Sequence, residues 1–296
     1  MSRYPLCLTQ TFTVTKISMN NLNWRKELDL FFTALMFLTR LPIPKWVEFE
    51  ESYLNESSRY FPLVGLVVGG VAAISYGLLS ILLGPLLAII LSMALTIWMT
   101  GAFHEDGLAD MCDGFGGGWE KAQILHIMKD SRLGTYGAVG LLLNIIIKFM
   151  ALLTLALLSV DASDSAAVIS SLSSGDYSSM VMVALLVAHP LSRFFSISFI
   201  RSLDYVQDID KSKVRPLASN LSDNGLLFAG ASIAVVLLLL NWVTLLCLLS
   251  VLFVMHKIFS RYLVKKIGGY TGDCLGAAQQ LSEVMIYIVL CAFVFI

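Results

Sequence analysis

The chain has 296 residues, of which 57% are hydrophobic and only 14% are charged, with a formal net charge of −1. Soluble domains usually carry about 25% charged residues. This composition, with a mean hydropathy of +0.79, therefore indicates a polytopic membrane protein embedded in the lipid bilayer. The charge balance argues against nucleic-acid binding, which requires a markedly basic surface.

The N-terminal part of the chain divides at a second methionine, Met19. Residues 1–18 contain no apolar core long enough for a signal peptide, so we expect a loose extension there. A single integral membrane domain is predicted over 19–296. Its first apolar segment, over 28–40, is short and ends in RLPIP, because proline cannot continue a helix. This segment is predicted to be an interfacial or re-entrant helix.

Seven later segments approach the roughly 20 mostly apolar residues that a membrane-spanning helix needs. The predicted fold is therefore all-α, a membrane helical bundle of about seven transmembrane helices. The predicted spans are 62–83, 86–103, 135–159, 179–200, 225–241, 243–260 and 281–296.

Lysine and arginine residues alternate between the connections, which predicts the orientation in the membrane. Basic residues precede the first span and lie in the connections 104–134, 201–224 and 261–280, whereas the intervening connections have none. We therefore expect the N-terminus and these three loops in the cytoplasm, and Ile296 on the outer side.

An acidic motif, FHEDGLADMCDG, follows the second predicted span. Asp106, Asp110 and Asp113 are spaced i, i+4 and i+7, which places them on one face of a helix. Glu105 points about 100° away from them in a regular helix. Three carboxylates on one face repel each other unless a cation lies between them. Mg²⁺ commonly combines a few carboxylates with substrate phosphate oxygens, so the spacing predicts a Mg²⁺ site.

The residues after the acidic motif add to this interpretation. The glycine run Gly114 to Gly118 breaks the helix and permits a ligand to approach the backbone. The stretch KDSRLGTYG then brings the basic residues Lys129 and Arg132 back before the next span. Acids for a metal, bases for phosphate and glycines for access together suit phosphoryl transfer, in which catalysis is mostly positioning and charge neutralisation.

Further polar residues lie within the apolar segments. An intramembrane cation is costly and is a functional candidate by default. Arg193 is predicted to face a polar cavity, whereas Lys148 either does the same or forms a structural ion pair. His189 can simply satisfy carbonyl groups freed by Pro190. A last polar group is predicted to share one helical face, either as a site or as a packing seam: Asp273, Gly276, Gln280 and Glu283.

Five motifs together resemble the cobalamin synthase family, the adenosylcobinamide-GDP ribazoletransferases. In chain order they are RLPIP, FPLVG, HEDGLADMCDG, MKDSRLGTYG and TGDCLGAA, and the resemblance extends from about Met19 to the C-terminus. It implies a Mg²⁺-dependent enzyme of the bacterial inner membrane that joins adenosylcobinamide-GDP to alpha-ribazole or its 5'-phosphate and releases GMP. The family pattern covers His104, Asp106, Gly107, Asp110, Asp113, Gly114, Asp130, Ser131, Arg132, Gly134, Thr271, Gly272 and Asp273, and it does not include Glu105.

These observations lead to specific expectations for the site. The expected metal ligands are Asp106, Asp110, Asp113 and Asp130. The expected catalytic residues are Asp110, Asp113, Arg132 and Arg193. The expected substrate-binding residues are Gly114, Gly117, Lys129, Ser131, Lys148 and Asp273. Association with other enzymes of vitamin B12 assembly is a further expectation.

Two alternative functions remain open from the sequence. The segment Asp110-x-x-Asp113-Gly114 also resembles the motif of CDP-alcohol phosphotransferases, but Gly117 and Gly118 replace the Ala-Arg pair of that family. A secondary transporter would place its acids within the spans. In this chain they cluster at a predicted membrane boundary.

Overall fold

The structure is a computed structural model that describes residues 24–50, 52–158, 178–206 and 220–293. The predicted extension 1–18 lies outside the described residues. The described part is all-helical, as predicted. Its helices are α1 (Trp24–Leu38), α2 (Tyr53–Ser57), α3 (Phe61–Thr100), α4 (Phe103–Gly117), α5 (Lys121–Met128), α6 (Thr135–Leu158), α7 (Ser178–Ser202), α8 (Asp223–Leu237), α9 (Trp242–Ile267) and α10 (Gly272–Phe293).

Five helical stretches of the described chain are long and apolar enough to cross a membrane. They are Tyr53–Thr100, Thr135–Leu158, Ser179–Ser202, Trp242–Ile267 and Gly272–Phe293. The chain is therefore a multi-pass membrane protein. Helix α8 is apolar but has only 15 residues, and α1 is equally short.

Helix α3 folds back on itself at Gly84, whose φ of 77° and ψ of 164° interrupt the helix immediately before Pro85. The Ser92 hydroxyl donates a hydrogen bond to the Ala72 carbonyl at 2.9 Å. Ala72 and Ser92 are 20 residues apart and would lie about 30 Å from each other along a straight helix. The predicted segments 62–83 and 86–103 are thus confirmed as two separate antiparallel helices, the second of which ends at Thr100.

Helices α3 and α7 form the most extensive helix contact in the described bundle. Glycine permits this contact, because a Cβ atom on Gly65 would lie 2.6 Å from the Pro190 Cα atom. The FPLVG motif therefore has a packing role, in which its glycine accommodates the backbone of α7.

Helix α10 begins at Gly272, nine residues before the predicted span 281–296. Polar residues in its first half lower the hydropathy that the sequence-based prediction relied on. Gln279 and Gln280 are buried all the same. In the apolar window of α10, 72% of the residues are inside the protein, against 17% for the window of α9. The helix lies at the centre of the bundle, where polar side chains have protein partners instead of lipid.

Candidate active site

A sharp turn places α4 beneath the end of the α3 hairpin. Gly101 and Ala102 both adopt left-handed conformations, with φ of 67° and 58°. The backbone N–H of Arg40, the first residue of RLPIP, donates to the Met99 carbonyl at 2.7 Å. The acidic motif thus begins a new helix whose direction is set by this turn, and the expected helical spacing of its aspartates is confirmed.

Close packing of α4 against α10 adds a fourth carboxylate to the motif. A Cβ atom on Gly107 would lie 2.9 Å from the Asp273 carbonyl oxygen, and one on Gly276 would lie 3.2 Å from the His104 carbonyl oxygen. These two glycines allow the helices to touch, which brings Asp273 beside Asp106 and Asp110. We call Asp106, Asp110, Asp113 and Asp273 the aspartate cluster.

The three α4 members of the aspartate cluster differ in exposure: Asp106 is exposed, Asp110 is half-buried and Asp113 is buried. The pKa of Asp110 is raised to about 7, first by desolvation and then by the charges of Asp273, Asp106 and Asp113. Such mutual repulsion is what a bound cation relieves. In the described chain, however, no three His, Cys, Asp or Glu side chains already converge to hold one metal ion.

Asp113 is engaged with the start of α6. Its two carboxylate oxygens accept hydrogen bonds from the backbone N–H groups of Gly134 at 2.7 Å and Gly137 at 2.8 Å. The first N–H groups of a helix lack intrahelical partners, and a side-chain oxygen commonly satisfies them. The structure therefore gives Asp113 a capping role, which explains why it is the most buried aspartate on α4.

The residues of the KDSR stretch lie in the connection between α5 and α6, where Lys129, Ser131 and Arg132 are exposed. Arg132 donates from Nε to both oxygens of Asp130 at 3.0 Å and from Nη2 at 2.5 Å. These bonds lower the pKa of Asp130 to about 2. In the structure Asp130 is paired with Arg132, whereas the sequence predicted that Asp130 would bind a metal ion together with the aspartates of α4.

The glycine run contributes packing as well as access. Gly114 is buried, and a Cβ atom there would lie 3.1 Å from the Ile124 carbonyl oxygen of α5. Gly117 is exposed, and its nearest neighbour across the turn is the Ile127 side chain. Of the two glycines expected to contact substrate, only Gly117 is accessible. Gly114 instead permits the contact between α4 and α5.

The intramembrane cations Lys148 and Arg193 lie in the interior of the bundle. Lys148 forms an ion pair with Glu283 at 3.0 Å. Arg193 donates from Nη1 to the His189 carbonyl, one helical turn earlier, at 2.9 Å. Both cations are buried, with exposed fractions of 7% and 2%. Arg193 lies on the wall of a small polar cavity, as predicted, and Lys148 forms the structural ion pair that the sequence left open. Their expected roles at the substrate stay predictions.

Glu105 joins α4 to these buried groups. Its Oε1 accepts from Gln280 Nε2 at 3.0 Å, and Gln280 Oε1 accepts from Lys148 at 3.0 Å. We call Glu105, Lys148, Arg193, Gln280 and Glu283 the buried network. Because the family pattern does not include Glu105, the residue was expected to be only a neighbour of the aspartates. One signal in the sequence could have indicated this network. Asp273, Gln280 and Glu283 share one face of α10, and that face extends from the aspartate cluster into the interior of the bundle.

Three connections meet at the end of the bundle that carries the aspartate cluster. Asp113 ties α4 to the start of α6. Tyr270, just before α10, accepts from Val206 N–H at 2.8 Å and donates its own N–H to the Asp204 carbonyl at 3.0 Å. The described parts of the three loops expected on one side of the membrane are therefore found at one end of the protein.

The chain is thus a multi-pass helical membrane protein whose clustered carboxylates lie near a short loop with two basic residues, an arrangement that suits a membrane-embedded transferase of phosphoryl groups. The sequence profile of the family described as cobalamin-5-phosphate synthase matches residues 30–291. This match covers most of the chain, which therefore belongs to that family. No solved structure matches the chain.

Named relatives agree with this assignment, and each is called adenosylcobinamide-GDP ribazoletransferase. The relative from Shewanella halifaxensis is 45% identical over 267 residues, which cover 90% of this chain and 96% of the relative. The relative from Shewanella frigidimarina is 45% identical over 272 residues, covering 92% and 97%. The relative from Shewanella piezotolerans is 43% identical over 268 residues, covering 90% and 96%.

Proposed function

We propose that the chain is an adenosylcobinamide-GDP ribazoletransferase of cobalamin biosynthesis. The ribose 3'-hydroxyl of alpha-ribazole, or of its 5'-phosphate, attacks the phosphoryl group that carries adenosylcobinamide. Adenosylcobalamin or its phosphate forms, and GMP leaves. The observation that carries this proposal is near-full-length similarity to relatives of that name, together with the aspartate cluster at the point where the family motifs meet.

Mg²⁺ is the cofactor that fits this site best. Asp106 and Asp110 offer hard oxygen ligands, and the repulsion within the aspartate cluster provides the physical reason for a cation there. Mg²⁺ usually keeps one or two carboxylates and completes its shell with water and phosphate oxygens, so a preformed cage is not needed. Bound there, the ion would neutralise charge on the pyrophosphate.

The protein side chains then supply binding and orientation. Lys129 and Arg132 are exposed beside the start of α6, from where their positive charges can attract the diphosphate and the GMP leaving group. Asp113 and the Gly107–Gly276 contact fix α4 relative to α6 and α10, and hence fix the spacing of the carboxylates. Precise positioning of this kind is the main source of rate in phosphoryl transfer.

We further propose seven membrane crossings with the aspartate cluster facing the cytoplasm of a bacterial cell, at the inner membrane. The α3 hairpin supplies two crossings, and α6 and α7 supply two more. Helix α7 ends near Asp204 and α9 ends near Tyr270, and both lie at the end of the bundle that carries the aspartate cluster. The chain must therefore cross away from that end through α8 before α9 returns to it. Helix α10 then ends on the opposite side. The basic loops favour the cytoplasm for the cluster end.

Product identity tests the proposed function. Purified full-length protein is incubated with adenosylcobinamide-GDP, alpha-ribazole and Mg²⁺, and GMP is measured. We expect GMP release that Asp106→Asn abolishes and that Asp223→Asn, which removes an exposed partner of Arg201, leaves unchanged. Release of CMP from a CDP-alcohol, or the absence of any chemistry, would support a lipid phosphotransferase or a transporter instead. Association with other cobalamin-assembly enzymes stays a prediction.

A further inference from the structure

A small polar cavity lies between α3, α4, α6, α7 and α10, directly behind the acidic motif. Its volume is about 10 Å³, and its wall includes Thr100, Glu105, His189 and Arg193. A cavity of this size corresponds to about one water molecule, and a water there needs two to four polar partners. The cavity is therefore about large enough for one water molecule.

Three buried polar atoms point to the occupant of this cavity. Glu105 Oε2, His189 Nδ1 and Arg193 Nε have no hydrogen-bond partner among the described residues. Their residues have exposed fractions of 8%, 4% and 2%. Buried polar atoms are nearly always hydrogen-bonded to protein or to ordered water. The set contains an acceptor, a donor and a ring nitrogen that can serve in either role, which matches the bonding capacity of water.

We propose that one ordered water in this cavity links Glu105 to Arg193 and His189, and that Glu105 is thereby a positioning residue for the aspartate cluster. Glu105 Oε1 is already held by Gln280, so the water completes the bonding of its second oxygen. The charge of Glu105 also acts directly on Arg193. This inference rests on the proposed function, because the aspartate cluster is taken as the reacting site.

The geometry of α4 explains how Glu105 acts through its neighbours. Asp113 attaches the far end of α4 to α6, and Glu105 attaches its near end directly to α10 and, through the proposed water, to α7. These anchors are eight residues apart, a distance of about 12 Å along the helix. Two anchors on different faces fix both the position and the rotation of α4. The rotation determines where Asp106 and Asp110 point, and functional groups must be held to about 0.5 Å.

The test uses Glu105→Gln, Arg193→Met and the double variant in the full-length protein, with Asp223→Asn as control. We expect each single change to lower kcat for GMP release by roughly 10–100-fold, with the KM for adenosylcobinamide-GDP nearly unchanged. The double variant should be no worse than the poorer single variant, because both changes break one link. Backbone amides of α4 should exchange hydrogen faster in both single variants than in the wild type. The double variant should exchange no faster than the single variants do.

Several results would overturn the inference. If Glu105 acts only through its charge, Glu105→Gln and Arg193→Met should change kcat in opposite directions and their effects should add. A lower melting temperature with unchanged kcat would reduce Glu105 to a structural residue, and so would unchanged exchange in α4. A structure resolving waters that shows a dry cavity would also refute it. Altered α4 exchange in a protein whose wild type releases no GMP would instead refute the proposed function.

Discussion

Replacing Asp113 separates its capping role from a role in metal binding. The Asp113→Ala variant would leave the N–H groups of Gly134 and Gly137 without their acceptor. Hydrogen bonds to charged groups contribute about 1.5–3 kcal/mol, and loss of a helix cap costs about 0.5–2 kcal/mol. Because Asp113 is buried and water cannot readily replace it, we expect Asp113→Ala to lower the free energy of unfolding by about 2–4 kcal/mol.

The Asp113→Asn variant gives the finer measurement. Asparagine keeps one acceptor oxygen, but its amide group would face the second N–H donor, so about half of the interaction is lost. We expect a loss of about 1–2 kcal/mol in the free energy of unfolding. Asp110→Asn is the matched control. Neutralising Asp110 removes repulsion from its neighbours and should leave the stability unchanged or higher.

The assay measures melting temperature and GMP release on the same detergent preparations. At roughly 2–4 °C per kcal/mol, Asp113→Asn should melt several degrees below the wild type, whereas Asp110→Asn should not. Asp110→Asn should nevertheless lose turnover. If Asp113→Asn lost turnover as completely as Asp110→Asn and kept the wild-type melting temperature, the capping argument would be refuted and Asp113 would act at the metal.

Three further predictions follow from the packing and the topology. Arg193→Lys should keep kcat within about threefold of the wild type while lowering the melting temperature, because lysine retains a buried donor and charge but not the planar guanidinium fork. A large loss of kcat at an unchanged melting temperature would instead indicate that Arg193 acts on the substrate. Gly107→Ala should lower kcat roughly tenfold, because the added Cβ pushes α4 away from Asp273. The control Gly70→Ala should leave kcat unchanged, because its added Cβ has no neighbour within 4 Å. Equal effects of the two changes would show that the contact between α4 and α10 does not position the carboxylates. A single cysteine placed within 118–122 should resist labelling from outside intact cells, and labelling there would invert the proposed orientation.

Most of the membrane architecture could be predicted because apolar length is a local signal. The predicted segments 135–159 and 179–200 correspond closely to α6 and α7. The α3 hairpin was equally visible, since Gly84 and Pro85 interrupt an otherwise continuous apolar run. The start of α10 was missed because hydropathy cannot distinguish a polar residue exposed to lipid from one paired inside a bundle.

The site was only partly predictable, because its assembly depends on contacts between distant parts of the chain. Helical spacing was sufficient to place Asp106 and Asp110 on one face. The same spacing could not show that Asp113 turns toward the start of α6, nor that Asp273 joins the cluster across the contact of two glycines. Nor could it show that Asp130 pairs with Arg132, two residues away in an irregular connection whose geometry has no sequence period. The role of Asp130 as a metal ligand stays a prediction.

The interior cations explain why the proposed reaction calls for a metal ion at all. Lys148 is paired with Glu283, and Arg193 interacts electrostatically with both Glu283 and Glu105. Two buried bases thus face two buried acids, and the network has no net charge to offer a diphosphate. An isolated charge in such surroundings would be strongly unfavourable, so this balance is a condition of folding in the membrane. Neutralisation of the diphosphate therefore falls to the exposed end of the bundle. The aspartate cluster there is itself negative and would repel the substrate, so a bound cation would have to act together with the exposed Lys129 and Arg132 to make that surface attractive to a diphosphate.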